Sequence, residues 1–212
     1  MTLTPDVNAA ATESVWSGGG SPFAVNSKKF GMWLFIISDA LTFSALLMAY
    51  TYLRLASPEW PKPFHFSPSI IFSSVMTFCL LSSSLTMVMA VHAMHHGNRK
   101  STVRWILATI AGGAAFVGLH LTEWLNLIRN EHMTPFSNEW GEPLFGATFF
   151  GITGLHMTHV VIGVIYLTII TIAVARGKFK YEDVEVAGLY WHFVDLVWMF
   201  VFPLVYLMSA KL

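Results

Sequence analysis

The sequence has 212 residues, of which 55% are hydrophobic and only 11% are charged. Soluble domains usually carry about a quarter charged residues, so this composition argues against a soluble fold and indicates a lipid environment. Acidic and basic residues balance at 12 each, which removes the bulk electrostatic argument for a nucleic-acid partner. The single cysteine, Cys79, excludes an intramolecular disulfide and a metal cluster held by several thiolates.

Five apolar stretches are long enough to cross a membrane as helices. A helix needs about 20 apolar residues to cross roughly 30 Å of hydrocarbon. The sequence therefore predicts an all-α polytopic membrane bundle, with a flexible polar tail at residues 1–29 and a five-helix domain at residues 30–212. The predicted spans are residues 30–53, 69–94, 105–127, 144–175 and 188–210.

Lysine and arginine residues are distributed unequally between the two sides of this bundle. The tail and the second and fourth loops carry eight of them, and the opposite side carries four. The excess of positive charge predicts a cytoplasmic N-terminus and an external C-terminus. Small residues at helical spacing also predict close helix packing, on the second helix (Ser73, Thr77, Ser84), the third (Ala108, Gly112, Ala115) and the fourth (Gly151, Gly154, Thr158).

Two carboxyl groups fall inside predicted spans, Asp39 in the first and Asp195 in the fifth. An ionisable group in hydrocarbon is costly, by roughly 2.5–3.5 kcal/mol on insertion scales, and calls for a partner. One interpretation is a proton-handling or lipid-headgroup site, or an ion transporter that uses both carboxyl groups. The other is a pair of interhelical anchors, with Asp195 hydrogen-bonded to His192 three residues earlier.

Histidines raise the question of a metal or haem site. His156 and His159 are three residues apart, so they share a face of the fourth helix near mid-depth. Imidazoles at that depth can ligate a metal, but His120 and Glu123 are expected nearer the outer surface, which makes a shared site awkward. Hydrogen bonding between helices is the favoured interpretation.

The segment from His92 to His96 contains the pattern His-x-x-His-His, with His95 as its second member. The pattern resembles one histidine box of the membrane di-iron hydroxylases, but no second box follows it. Interfacial histidines at a helix end are the simpler interpretation. On the fifth helix, Trp191 and Trp198 lie on one stripe with Asp195, as is usual for packing.

Four segments together resemble one family, subunit III of the haem–copper respiratory oxidases. The first is Phe-Gly-Met-Trp-Leu-Phe-Ile-Ile-Ser-Asp at residues 30–39, and the second is Glu-Trp at residues 123–124. The third is Gly-Leu-His-Met-Thr-His-Val-Val-Ile-Gly at residues 154–163. The fourth, Tyr-Trp-His-Phe-Val-Asp-Leu-Val-Trp at residues 190–198, is close to the family's most recognisable motif. The resemblance covers nearly everything after residue 30.

The resemblance implies a chain that is catalytic only as part of a complex, with haem and copper in partner subunits I and II and none of its own. It implies packing beside subunit I, phospholipid in a cleft, support of proton uptake, location in the bacterial inner membrane, and possible membership of a respiratory supercomplex. Asp39 and Glu123 would line the cleft or a helix interface. His156 and His159 would tie the fourth helix to its neighbours. The fifth helix would be ordered by Trp191, His192, Asp195 and Trp198.

The resemblance leaves the type of oxidase open. Longer members have seven helices, and this chain is similar to the short form without the first two. Many cytochrome c oxidases have glutamate where this chain has Asp39, and aspartate there is similar to bacterial ubiquinol oxidases. The alternatives are therefore a cytochrome c oxidase, a ubiquinol oxidase and the related accessory subunit of nitric oxide reductases, with a di-iron hydroxylase as the alternative from another class.

Overall fold

The computed structural model describes residues 27–65, 69–136, 142–178 and 180–211. All five helices in this part of the chain are long and apolar enough to span a membrane, which confirms the predicted fold class. The predicted tail lies outside the described residues, apart from the three residues with which the first helix begins. The helices are α1 (Ser27–Ala56), α2 (Ile71–His95), α3 (Arg99–Asn130), α4 (Pro143–Ala175) and α5 (Tyr181–Val201).

Two helices begin earlier than their apolar stretches indicate, α3 by six residues and α5 by seven. Both have polar first turns that an apolarity criterion does not detect. The Asn98 side chain accepts a hydrogen bond from the Ser101 N–H at 3.1 Å, and Asp183 Oδ2 accepts one from the Lys180 N–H at 3.0 Å. These contacts satisfy amide groups that the start of a helix leaves without a partner.

The end of the fifth span also differs from the prediction of one helix to residue 210. Regular α-helix stops at Val201, and a π-helical segment (Phe202–Tyr206) and a 3₁₀ turn (Leu207–Ser209) complete the span. Pro203 explains the change, because proline has no N–H to donate to the preceding turn and its ring clashes there. The wider π turn accommodates that missing hydrogen bond.

Contacts at both ends show that α1 and α5 run parallel. Near their first residues, Lys28 Nζ lies 2.7 Å from Asp183 Oδ1. Near the end of α1 and of the fifth span, the Tyr50 hydroxyl lies 2.9 Å from Ser209 Oγ of the 3₁₀ turn. The two helices therefore start on the same side of the bundle.

Short strands join the first connection to the end of the fifth span. Strand β1 (Phe64–His65) pairs in parallel with β2 (Ala210–Lys211), with Phe64 opposite Ala210. Phe64 is buried and stacks on Tyr206 with ring centroids 4.9 Å apart. This pairing fixes the connection between α1 and α2 against the last residues described.

The helix α5 is central and α1 is peripheral. In the most apolar 18-residue window of each span, 50% of the residues are buried for α5 and 6% for α1. Trp191 and Trp198 are fully buried, whereas Leu41, Met48 and Leu55 on α1 are largely exposed. Most of the α1 surface is therefore left for lipid or a partner chain.

The predicted small-residue stripes are right for α2 and largely wrong for α3 and α4. Gly112 and Gly154 do pack closely, since a Cβ at the first would lie 2.7 Å from Ser83 Cβ and one at the second 3.1 Å from the Trp124 ring. Ala108, Ala115, Gly151 and Thr158, however, are exposed. The buried face of α3 is a different one, which carries Thr102, Ile106, Thr109, Gly113, Phe116, His120, Glu123 and Leu127.

Candidate functional site

The first polar contact joins α1 to α4. His159 Nε2 lies 3.4 Å from Asp39 Oδ2, and both side chains are mostly buried. His159 Nδ1 lies 2.9 Å from the Leu155 carbonyl oxygen. A carbonyl can only accept, so Nδ1 carries a proton and Nε2 of a neutral ring is an acceptor. Attraction to Asp39 then requires one further proton, either on the carboxyl group or on the ring.

Glu123 joins three helical segments through its two carboxyl oxygens. Oε1 accepts a hydrogen bond from Ser73 Oγ of α2 at 2.6 Å, and Oε2 accepts one from the Tyr206 hydroxyl of the π segment at 2.8 Å. The side chain is buried on α3. Both oxygens are therefore occupied by donors from elements that are distant in the sequence.

The two tryptophans of α5 donate to hydroxyl groups of α2. Trp191 Nε1 lies 3.1 Å from Ser83 Oγ, and Trp198 Nε1 lies 2.9 Å from Thr77 Oγ1. Both rings are fully buried. The predicted stripe of α5 is thus a packing surface that also hydrogen-bonds across the helix interface.

The expected hydrogen bond between His192 and Asp195 is absent among the described residues. His192 Nδ1 instead lies 2.6 Å from Ser84 Oγ of α2, and Ser84 also lies beside the Asp195 carboxyl group. Asp195 Oδ1 is buried without a partner. The prediction was wrong because it considered only neighbours on the same helix, while the nearer polar group is across the interface.

His156 and His159 do share a face, since both rings contact Phe43, at 6.4 and 5.6 Å between centroids. His120 is closer to this group than its predicted depth indicated. His120 and His156 both pack against Trp198, at 5.5 and 4.9 Å. Ten residues separate His120 from the end of α3 and 13 separate His156 from the start of α4, so the two lie at similar depths.

The described residues contain no group of three or more His, Cys, Asp or Glu side chains placed to hold a metal ion. His92 and His95 at the end of α2 both contact the His96 ring, at 4.4 and 5.5 Å. A di-iron centre draws its ligands from several elements. His92, His95 and His96 all lie at the end of one helix, so they do not form such a centre by themselves.

An apolar groove of about 610 Å³ lies between α1 and α5. A second cavity, of about 260 Å³, lies beside Glu123 between α2 and α3. The groove is lined by Ala40, Phe43, Ser44, Leu47, Met48, Thr51, Tyr52, Leu55, Phe193, Leu196, Val197, Phe200 and Leu204.

Several of these partners were not recognised as a site from the sequence. Ser73, Thr77 and Ser84 were assigned to a packing stripe, and Ser83 and Tyr206 were not singled out at all. The available signal was a set of hydroxyl residues on one face of the apolar helix α2, opposite a helix that carries tryptophans. Such side chains can satisfy polar groups of a neighbour as well as permit close approach.

These contacts define a class of protein, a helical membrane protein whose buried polar side chains join its own helices. Comparison with known proteins makes the assignment specific. Residues 5–210 match the family described as cytochrome c oxidase subunit III, and the chain belongs to that family. It is accordingly a subunit III of a respiratory oxidase complex that contains other subunits.

Relatives of more than one type are similar to this chain. Cytochrome c oxidase subunit 3 of Alkalihalophilus pseudofirmus is 30% identical over 188 residues, which cover 87% of this chain and 88% of the relative. Quinol oxidase subunit 3 of Bacillus subtilis is 34% identical over 84% of this chain and 86% of the relative. Cytochrome c oxidase subunit 3 of Hippopotamus amphibius is 33% identical over 92% of this chain and 74% of the relative.

Proposed function

We propose that this chain is a non-catalytic subunit III of a bacterial haem–copper terminal oxidase that accepts electrons from cytochrome c. In this proposal it lies in the cell inner membrane, packs directly beside subunit I, and contacts subunit II. Haem and copper belong to those partners. Family membership supports the assignment to an oxidase complex. The non-catalytic role is supported by Glu123, a buried carboxyl group whose hydrogen bonds join α2, α3 and the π segment of the fifth span.

The groove between α1 and α5 supports a role in lipid binding. Its walls are almost entirely apolar, and its length follows α1 from Ala40 to Leu55. An acyl chain is the ligand that such a surface accommodates by dispersion contact. In seven-helix members the additional helices would close one wall of the cleft, and in this chain phospholipid or another subunit takes that place.

Asp39 is the residue that we propose for the supporting role in proton uptake. It lies beside Phe43 and Ala40 of the groove, and its carboxyl group requires a proton in common with His159. A carboxyl group at a lipid-facing groove can stabilise the position of α1 against α4. The effect on proton uptake is then indirect, through the surface offered to subunit I.

The second candidate is a subunit III of a ubiquinol oxidase. The relative from Bacillus subtilis supports it, since that quinol oxidase subunit 3 is 34% identical to this chain. The accessory subunit of nitric oxide reductases, the di-iron hydroxylase and the ion transporter lack a comparable observation. Membership of the oxidase family replaces the last two as working hypotheses.

Purification of the native complex through a tag on this chain tests the proposal. We expect subunits I and II to co-purify, and the complex to oxidise reduced cytochrome c faster than quinol. The reverse preference would assign the second candidate. Removal of this chain should leave the haem absorbance spectrum intact while turnover decays sooner, and a bound chromophore in the isolated chain would contradict the proposal.

A further inference from the structure

Two buried histidines from different helices meet at one tryptophan. His120 of α3 and His156 of α4 are both fully buried. The His156 ring stacks on Trp198 at 4.9 Å, and the His120 ring packs against the same indole at 5.5 Å. Phe116 contacts both imidazoles, at 5.5 and 5.8 Å. Aromatic rings therefore position the two histidines.

Hydrogen-bond accounting leaves both imidazoles unsatisfied. Neither ring nitrogen of His120 nor of His156 has a partner in the protein, and the buried Nε1 of Trp124, whose ring contacts His120 at 5.5 Å, has none either. By contrast, Trp191 and His159 in the same bundle do have partners. Buried polar groups in proteins are nearly always hydrogen-bonded, to protein or to ordered water. A cluster of five buried nitrogen atoms without a protein partner therefore requires an explanation.

The donors and acceptors at this place match those of water. A neutral imidazole offers one donor and one acceptor, and an indole offers one donor. His120, His156 and Trp124 together therefore offer three donors and two acceptors. A buried water molecule commonly makes two to four hydrogen bonds, and donates and accepts equally well.

We propose that His120, His156 and Trp124 bind structural water in the interior of the bundle. The water bridges α3 to α4 beside the Trp198 ring of α5, and so connects two helices between which these side chains form no direct hydrogen bond. This site is separate from the groove and does not depend on the identity of the electron donor.

Other occupants fit the same atoms less well. A structural metal ion is usually held by four ligands, and no third His, Cys, Asp or Glu of the described residues joins these two histidines. An acyl chain would leave all five polar atoms unsatisfied. A direct bond between the imidazoles is not formed, since each of the four nitrogens is without a partner.

X-ray radiolysis of the purified complex tests the proposal, because hydroxyl radicals produced from a bound water oxidise the side chains beside it. Trp198 should be oxidised at least five times faster than Trp191. The two residues make a matched pair, since both are fully buried on α5 and both indoles have a hydroxyl partner. A radical scavenger in the bulk solvent should suppress oxidation of the exposed Phe136 without protecting Trp198.

Equal oxidation rates for Trp198 and Trp191 in the wild-type complex would overturn the proposal, whatever any variant does. The variant His120→Leu removes two of the polar atoms, and where it assembles normally it should reduce the oxidation of Trp198 towards that of Trp191. An unchanged rate in the assembled variant would also overturn the proposal. If the variant does not assemble, the comparison of Trp198 with Trp191 in the wild-type complex decides whether the proposal holds.

Discussion

The contact between Asp39 and His159 joins α1 to α4. His159 Nδ1 is committed to the Leu155 carbonyl group, so Nε2 is left to face the carboxyl group at 3.4 Å. The pair is attractive only when one proton is added to its neutral ring and ionised carboxylate. This contact is therefore one of those that hold α1 against α4.

Replacement of Asp39 separates a structural from a catalytic role. Asp39→Ala removes the carboxyl group that lies 3.4 Å from His159 Nε2, and so weakens the contact between α1 and α4. We expect less of this chain to remain in the purified complex, with the haem absorbance per subunit I unchanged. Asp39→Asn is the matched control, because its amide N–H can donate to Nε2, and it should behave like the wild type.

Two results would contradict this account of Asp39. Loss of haem from the Asp39→Ala complex would show that the residue supports the redox centres directly. A defect in Asp39→Asn as large as that in Asp39→Ala would show that the contact depends on charge.

The hydrogen bond between Glu123 and Tyr206 can be measured by a double-mutant cycle. Glu123→Ala removes the carboxyl group, and Tyr206→Phe removes only the hydroxyl that lies 2.8 Å from it. Interhelical hydrogen bonds in membranes contribute about 0.6 kcal/mol on average and about 1.7 kcal/mol at most. We expect a coupling energy in that range, measured as the free energy of unfolding of the chain in mixed micelles.

Tyr190→Phe gives the control for the cycle, since its hydroxyl donates to the His159 carbonyl group and not to Glu123. Its effect should add to that of Glu123→Ala without coupling. Coupling as large as that of Tyr206→Phe would mean that the hydrogen bond is not what the cycle measures.

Sequence reasoning identified the buried ionisable residues but not their partners. Asp39, Glu123, His156 and His159 stand out because charge and imidazole are rare in apolar helices. Ser83 and Thr77 do not stand out, because a hydroxyl in a helix can bond its own backbone, as Thr77 Oγ1 does to the Ser73 carbonyl group at 2.8 Å. The acceptor function of Thr77 for Trp198 becomes visible only when the two helices are placed together.

At the level of whole helices, glycine determines how closely α3 approaches α5. A Cβ at Gly113 would overlap the Trp191 ring and lie 3.0 Å from Val164 Cγ2. Both neighbours are side chains of other helices, and Trp191 is fully buried. The missing side chain at Gly113 therefore permits the packing of three helices.

Gly113→Ala should destabilise the bundle by about 1–3 kcal/mol, the usual cost of overpacking. Gly118→Ala on the same helix is the matched control, since nothing lies within 4 Å of the Cβ it would add. We expect a lower thermal unfolding temperature for Gly113→Ala, and an unchanged or slightly higher one for Gly118→Ala because alanine favours a helix more than glycine does. An equally lowered unfolding temperature in both variants would show that the contact with Trp191 does not determine the result.

Helix boundaries were predictable where the chain crosses lipid and not beyond it. The five spans were predicted from apolar length alone. Their number and order are confirmed in the described residues. The start of α5 at Tyr181 depends instead on Asp183 and Lys180, and its early end depends on Pro203. The face that each helix turns towards the bundle was harder still to predict, because in lipid both the buried and the exposed side of a helix are apolar.

For the whole molecule, the orientation in the membrane is the main open prediction. The native sequence has one cysteine, Cys79, so a Cys79→Ser background allows single cysteines to be placed on each side. Lys100 lies in the first turn of α3, on the side where α1 begins, and Phe136 lies on the opposite side. Both positions are exposed.

A membrane-impermeant maleimide should label Phe136→Cys in intact cells, and Lys100→Cys only after lysis. This result is expected because eight of the 12 lysines and arginines lie on the side of Lys100. The reverse labelling would place the N-terminus outside.

The pairing of β1 with β2 has a consequence for the order in which the protein matures. Residues 64–65 leave the ribosome after the first helix, whereas their partners at 210–211 are synthesised after all five. The connection between α1 and α2 therefore cannot pair with β2 until translation has passed the fifth span. Folding of this chain therefore includes a late step that joins the connection between its first two helices to residues beyond its fifth span.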